Sequence, residues 1–507
     1  MALMGSLSPT RGRWLALVAA LLGWLFDGFE MGLFPVIARP ALLELTGGSV
    51  SPDRLESTVA VWNSLALAGF LFGAATGGVL FGWLGDRLGR VRAMSLSILT
   101  YALCSGLGAF TTHPLQIVLV RYVAALGMGG EWSLGVALVM ELWGGRSRAL
   151  LAGTIGAAGN LGYVLVAALS MGLQHSGSHI ADALNSLGLP DSWVQRLTAN
   201  SAWRLLMVAG TLPALLTFVI RLFVPESQRW QNEQRQGRTS SWAVQDLLGV
   251  VAGAAGCGLL LVLWHPVWSA QVPIVLRLAG TLIVLAGITA AFLHPIRRYL
   301  NRSGASPQTT RSTFRLLIVG ACISGVALLG TWGSIQWATF WVDELTGKTV
   351  PLAKQWTQFS SAWGAVLSCI IGALLCDWMG RRLAYRLLCV LALGSTLLFY
   401  LGNNSYGPMF LFTVFLAGGS TAAFYGWLPL YLPELFPTAV RATGQGFSFN
   451  FGRILAAIGA LQTGVLKDIF KDHGGYPTAC SLMSLIYLVG LVVIGFAPET
   501  KGRELPE

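Results

Sequence analysis

The chain is dominated by apolar runs too long and too numerous for a water-soluble core. They occupy 14–38, 58–84, 92–111, 115–141, 149–173, 203–224, 243–264, 271–293, 314–341, 357–376, 383–402, 407–431, 444–466 and 476–497. A helix of about 20 mostly apolar residues crosses the hydrocarbon of a bilayer. In lipid every backbone polar group must be bonded within its own element, so runs of this length are expected as helices. Composition agrees: only 11% of the 507 residues are charged, against about 25% in soluble domains. Mean hydropathy is +0.65. A disordered chain, a collagen-like chain and an ordinary soluble enzyme are excluded. The net charge of +11 would ordinarily point to nucleic acid. Here the 33 Lys and Arg are spread thinly through apolar sequence and form no basic domain. The expected partner is a lipid bilayer, with no nucleic acid.

The basic residues instead label orientation, because loops on the cytoplasmic side are enriched in Lys and Arg. With fourteen alternating spans and the N-terminus inside, 22 of the 33 fall on the inner side and nine on the outer. Arg121 and Arg453 remain at membrane depth. Both termini are therefore expected in the cytoplasm of a multi-pass protein of the cell (inner or plasma) membrane. The first run starts with Arg11 and Arg13, but it is long and contains Asp27 and Glu30, so it is read as a span rather than a signal peptide. Segments 243–264 and 271–293 are joined by little more than His265-Pro266-Val267-Trp268 and read as a tight hairpin. Removing that hairpin preserves the parity, which makes twelve helices plus two the natural description. The long connection 174–202 is expected to form a small outer cap, and 231–241 a polar inner linker.

An internal duplication organises the chain. Asp86-Arg87-Leu88-Gly89-Arg90 recurs as Asp377-Trp378-Met379-Gly380-Arg381-Arg382, 291 residues later. Glu141 followed by Arg148 recurs as Glu434 followed by Arg441, 293 residues later. Pro225-Glu226 and Pro498-Glu499 each close an apolar run. All lie on the expected inner side. Two six-helix halves follow, 1–230 and 314–507, with the hairpin in a linker at 231–313. Parallel repeats of this kind place a substrate site between the halves at the midplane. The glycine in each loop permits a tight turn, and the surrounding charges can pair across the interface. Asp86, Arg87, Arg90, Asp377, Arg381 and Arg382 are expected to hold an inner gate. Glu141 with Arg148, and Glu434 with Arg441, are expected as gate and loop-anchoring pairs.

These motifs resemble the major facilitator superfamily along nearly the whole chain. The Asp86-Arg87-x-Gly89-Arg90 loop matches its best-known signature. Its second-half echo and the pattern Arg121-x5-Gly127-x-Gly129-Gly130-Glu131-Trp132 are also similar to that superfamily. Asp27-Gly28-Phe29-Glu30 is similar to the corresponding stretch of proton symporters for sialate and aromatic acids. The ending Pro498-Glu499-Thr500-Lys501-Gly502 is similar to that of sugar porters. The resemblance implies an all-α fold of two six-helix halves, the extra hairpin being a feature of the sialate:proton branch. It implies a secondary transporter without a cofactor.

Ionisable residues at membrane depth are costly and default to function. Asp27 lies about 20 Å into its segment, near the midplane, and Glu30 follows one turn on. Glu131 lies about 15 Å from the inner end of the fourth segment, and Arg121 about 15 Å further out. A carboxyl group kept from water holds a proton, and a nearby cation releases it. Asp27, Glu30 and Glu131 are therefore expected to couple protons, with Glu30 facing a water-filled vestibule. Arg121 is expected to attract an anionic substrate or to alternate between the acids. In the second half Val414 and Phe424 stand at the positions of Arg121 and Glu131, so proton chemistry belongs to the first half. Arg453, Asn450, Gln336, Trp337 and Tyr425 are expected to contact substrate, with Asn160 and Tyr163 as further polar candidates.

The six His lie in loops or at helix ends, so no histidine relay is expected, and the seven Cys fit no metal site. No Walker loop is present, so ATP is not the energy source. The expectation is a monomeric symporter of protons and a small organic anion, such as a sialic or other sugar acid. A neutral sugar, an aromatic acid, nicotinate or export remain alternatives. A membrane sensor is a different class, and it lacks the added inner domain. An enzyme is a third, and it lacks a recognisable catalytic cluster.

Overall fold

The computed structural model describes residues 9–48, 50–143, 147–213, 223–347, 349–462 and 474–507, with isolated positions 216, 220 and 470. Among the described residues every regular element is helical. Twelve helices among the described residues are long and apolar enough to cross a membrane. The expected segments 203–224 and 444–466 fall partly outside the described residues, as do Arg146, Arg221, Lys348, Lys467 and Lys471 from the orientation count.

The first half contains α1 (Pro9–Thr46), α2 (Pro52–Leu88), α3 (Arg90–Leu107), α4 (Pro114–Leu142), α5 (Ser147–Ser186) and α6 (Asp191–Ala209). A short α7 (Gln228–Arg235) leads to α8 (Leu247–Leu263) and α9 (Ile274–Arg302), the two helices of the hairpin, which pack on each other and against α2. The second half contains α10 (Pro307–Gly333), α11 (Ala338–Leu345), α12 (Ala353–Met379), α13 (Arg381–Gly402), α14 (Pro408–Ala422) and α15 (Phe424–Tyr431). It ends with α16 (Arg441–Asn450), α17 (Gly452–Leu461), α18 (Gly475–Ser484) and α19 (Ile486–Val493).

Small residues draw these helices together, as expected where lipid offers no hydrophobic drive between them. A Cβ on Gly77 of α2 would lie 1.9 Å from the Leu126 carbonyl of α4. One on Gly446 of α16 would lie 1.9 Å from the Gly78 carbonyl, so the halves also meet backbone to backbone. The 174–202 connection differs from the expected separate cap. Helix α5 runs on to Ser186, and α6 starts soon after. That helix is interrupted at Ala199–Ala202, where Asn200, Ser201 and Ala202 take positive φ. Glu44 of α1 holds the break in place, accepting from Asn200 (2.9 Å), the Trp203 indole (2.7 Å) and Arg204 (2.8 Å).

Candidate functional site

A cavity of ≈ 150 Å³ lies between the halves. Helix α10 ends at its edge, and the short irregular turn Ile335–Trp337 puts Gln336 on the wall. Irregular backbone at membrane depth is tolerated where it lines such a cavity. One side is aromatic: Trp24 stacks on Trp132 (5.8 Å, 10°), and Trp132 stacks on Phe449 of the other half (3.7 Å, 3°). Tyr163, Trp332 and Tyr425 add further aromatic surface, while Asn160, Gln336 and Gln358 supply polar groups. Pro35 and Gln358 also belong to a second cavity of ≈ 590 Å³, lined by Thr198, Ser201 and Lys354 at the far end from the basic loops.

The deep charges separate into two sets. Glu30 accepts from Arg121 (3.1 Å) and from the Ser105 hydroxyl (2.5 Å), and it is buried rather than open to a vestibule. The Arg121 guanidinium lies over Phe34 (4.0 Å) and Phe70 (4.8 Å). This ion pair between α1 and α4 does not border the cavity, so Glu30 does not face the expected vestibule, and Arg121 pairs with an acid rather than meeting the cavity. The reason is height: Arg121 is nearly three turns from Glu131 on α4 and meets α1 at Glu30 instead.

Asp27 and Glu131 form the second set. Asp27 lines the cavity, and Glu131 interacts with it from behind, fully buried. Neither Glu131 oxygen nor Asp27 Oδ1 has a hydrogen-bond partner among the described residues. The Glu131 carboxyl has room because α1 carries Gly23, where a Cβ would lie 1.9 Å from Glu131 Oε1. From the second half, Arg453 acts on Asp27 across the cavity. It is 5% exposed, lies over Phe449 (5.5 Å), and its Nε and Nη1 have no partner among the described residues.

Of the other residues expected at substrate, Gln336 and Tyr425 line the cavity. Asn450 does not. Its amide donates to the carbonyls of Gly129 (2.9 Å) and Gly446 (3.0 Å), tying α16 to α4. Trp337 lines only a neighbouring apolar cavity, which Gln336 also borders, and it stacks with Tyr476. Trp24, Trp332, Gln358 and Phe449 also line the cavity, beyond the residues the sequence singles out. Trp24 had a signal, lying one turn before Asp27 on the same face.

Most of the residues expected to form a gate converge at the end of the molecule that carries the basic loops. Arg90 donates to Asp86 (2.7 Å), to Glu141 (3.2 Å) and to the Thr438 carbonyl (2.7 Å). Asp86 also accepts from the N–H groups of Ala442 (3.1 Å) and Thr443 (2.8 Å), capping α16 of the other half. Arg441 donates to Glu141 (2.8 Å), and the Ser227 hydroxyl donates to the same carboxylate. In the second half, Arg381 donates twice to Glu434 (3.0 and 2.6 Å). The pairing is therefore crossed: Glu141 takes Arg441 rather than Arg148, and Glu434 takes Arg381 rather than Arg441. Arg148 donates to the nearby Trp143 carbonyl and lies within electrostatic reach of Glu434. Arg87 lies outside the network, over Trp83 (5.0 Å). Arg382 donates its side chain to the Gly495 carbonyl, and Asp377 is half-exposed, 3.6 Å from Arg381.

Comparison with known proteins agrees with this architecture. The family model described as "Major Facilitator Superfamily" matches residues 19–460. An inner membrane metabolite transport protein of Escherichia coli (strain K12) is 26% identical over 90% of this chain and 88% of its own length. The cis,cis-muconate transport protein of Acinetobacter baylyi is 24% identical over 90% and 87%. Among solved structures, the proton:xylose symporter XylE bound to 6-bromo-6-deoxy-D-glucose superposes with a TM-score of 0.66 at 17% identity, covering 98% of both chains. The chain is a multi-pass membrane transporter and belongs to the Major Facilitator Superfamily.

Proposed function

We propose that this transporter is a symporter that couples protons to the movement of a small organic anion, with its basic end in the cytoplasm. The observation that carries the reading is Arg453, a buried guanidinium on the cavity wall facing Asp27, with two nitrogens that have no partner among the described residues. A buried cation calls for an anion, and a guanidinium takes a carboxylate in two parallel hydrogen bonds. Arg121, the deep cation of the first half, is engaged by Glu30, which leaves Arg453 to face Asp27. A proton on Asp27 removes its hold on Arg453 and frees the guanidinium for substrate. Proton and anion then favour each other's binding, and that favour is reciprocal. The closed network at the basic end keeps the cavity from the cytoplasm until the halves rock apart.

A sialic or other sugar acid fits the polar groups Asn160, Gln336 and Gln358. A planar unsaturated or aromatic acid is the second reading. The Trp24–Trp132–Phe449 stack favours it, and so does the likeness to a cis,cis-muconate transport protein. The protein is proposed to work as a monomer in the cell membrane, with 1–230 and 314–507 as its moving halves.

Uptake into proteoliposomes tests this, with and without an inward proton gradient, over a panel of sugar acids, aromatic acids and neutral sugars. Arg453→Ala should weaken apparent affinity for the acids by about 10–100-fold. Asp27→Asn and Glu131→Gln should still exchange substrate across the membrane but not concentrate it. Accumulation that survives collapse of the gradient, or both carboxyl substitutions, would falsify proton coupling.

A further inference from the structure

Behind the cavity, α3 presents a group that the scheme above leaves unused. Tyr101 is fully buried, and its hydroxyl has no hydrogen-bond partner among the described residues. Its place is set by α4. A Cβ on Gly127 would lie 2.8 Å from the Tyr101 nitrogen and 3.1 Å from its Cβ, so α3 crosses α4 there in close contact. The Ser97 hydroxyl, one turn earlier on α3, donates to the Gly127 carbonyl and holds the crossing. Glu131 is one turn from Gly127 on the same face of α4. A tyrosine ring spans about that rise, and the hydroxyl is brought within interaction reach of the Glu131 carboxyl. Three buried groups with orphaned oxygens among the described residues therefore meet: Asp27 from α1, Glu131 from α4 and Tyr101 from α3.

We infer that Tyr101 is a positioning residue of the proton site: its hydroxyl donates to the ionised Glu131 carboxylate and thereby sets how readily Glu131 releases its proton. This rests on the proton-coupled reading above. Asp27 borders the cavity and Glu131 does not, so a proton from the cavity side reaches Asp27 first. It passes from an Asp27 carboxyl oxygen to a Glu131 carboxylate oxygen, leaving Asp27 ionised beside Arg453. Tyr101 keeps its own proton throughout. When Glu131 is ionised, the Tyr101 O–H supplies a donor from the side away from the cavity, a protonated Asp27 being the other donor in reach. The charged and titratable groups in reach are Asp27 and Glu30 on α1, Tyr101 on α3, and Arg453 acting through Asp27. Arg121 on α4 is neutralised by Glu30.

The test is Tyr101→Phe in proteoliposomes, which removes one oxygen and keeps the packing. Without the donor, Glu131 binds its proton more tightly. The pH at which gradient-driven uptake falls to half should move up by about one unit, a tenfold change in proton affinity. Exchange at low pH should be unchanged. In infrared difference spectra, the carboxyl band that disappears in Glu131→Gln should shift in Tyr101→Phe. A folded Tyr101→Phe with an unmoved pH profile overturns the inference. If Tyr101→Phe does not fold, 3-fluorotyrosine at position 101 takes its place. As a stronger donor it should move the profile to lower pH, and no movement overturns the inference. The parent reading fails separately, if Glu131→Gln still accumulates substrate against its gradient.

Discussion

Gly23 decides where the Glu131 carboxyl can sit. The atom that a side chain at 23 would strike is Glu131 Oε1, the end of a flexible chain, and not backbone. Gly23→Ala is therefore expected to fold, at an overpacking cost of about 1–3 kcal/mol, with the carboxyl pushed off its place beside Asp27. Gradient-driven uptake should fall at least about tenfold while exchange persists, since positions 1 Å wrong cost that much or more. Normal accumulation by Gly23→Ala would show that the close fit of α1 on Glu131 has no part in coupling. At this scale the sequence showed which groups were expensive. It did not show which neighbour each would meet. Asp27 and Arg453 line the cavity, but Arg121, equally deep, turns to Glu30.

At the scale of elements, the two halves repeat one device with opposite consequences. Each gate loop turns on a glycine with positive φ, Gly89 at 107° and Gly380 at 91°. Each is followed by a helix whose first N–H groups bond a glutamate outside the spanning helices. Glu226 accepts from Arg90 (2.9 Å) and Val91 (3.1 Å), and Glu499 from Arg381 and Arg382 (both 3.0 Å). Burial weighs more on Glu226 and pushes its carboxyl above the ordinary value despite those donors. Glu499 is also partly withdrawn from water, but the N–H groups of Arg382, Arg381, Lys501 and Thr500 hold it below. The signs then differ. The Glu499 contribution to stability is present at neutral pH and is lost as pH falls through its lowered value. Glu226 contributes most at low pH and less as pH rises through its raised value. In melting curves of the purified protein between pH 3 and 7, Glu499→Gln should flatten the acid-side loss of stability. Glu226→Gln should leave that loss in place. The motif repeat made this device legible, because offsets near 290 align both loops. The difference in burial was not legible, since it depends on what the neighbouring α7 and the C-terminal segment cover.

For the whole molecule, the crossed ion pairs decide which charges hold the halves together. Glu141 binds Arg441 of the other half, whereas Glu434 binds Arg381 of its own. Removing one partner of a buried pair costs about 3–5 kcal/mol, so Glu141→Ala and Glu434→Ala should both lower the melting temperature. Only Glu141→Ala should open the basic end. With spin labels at the exposed positions Gln234 and Arg386, Glu141→Ala should lengthen and broaden the distance distribution. Glu434→Ala should leave it centred where it was. Equal distributions in the two variants would mean that the gate does not depend on the Glu141–Arg441 bond.

The sequence by itself determined the helical membrane class, the duplication, the clustering of basic loops at one end and the short list of deep charges. These follow from run length, composition and spacing along the chain, which are one-dimensional quantities. Tertiary structure alone decided the partners. Glu141 has Arg148 seven residues away and Arg441 three hundred away, and it bonds the distant one because α16 crosses α4 at that height. Asn450 and Trp337 left the expected site for the same kind of reason: helix rotation and one irregular turn aim them elsewhere. A charge in a dry interior pairs with whatever cation the packing brings within about 3 Å, and no local pattern in a sequence carries that distance.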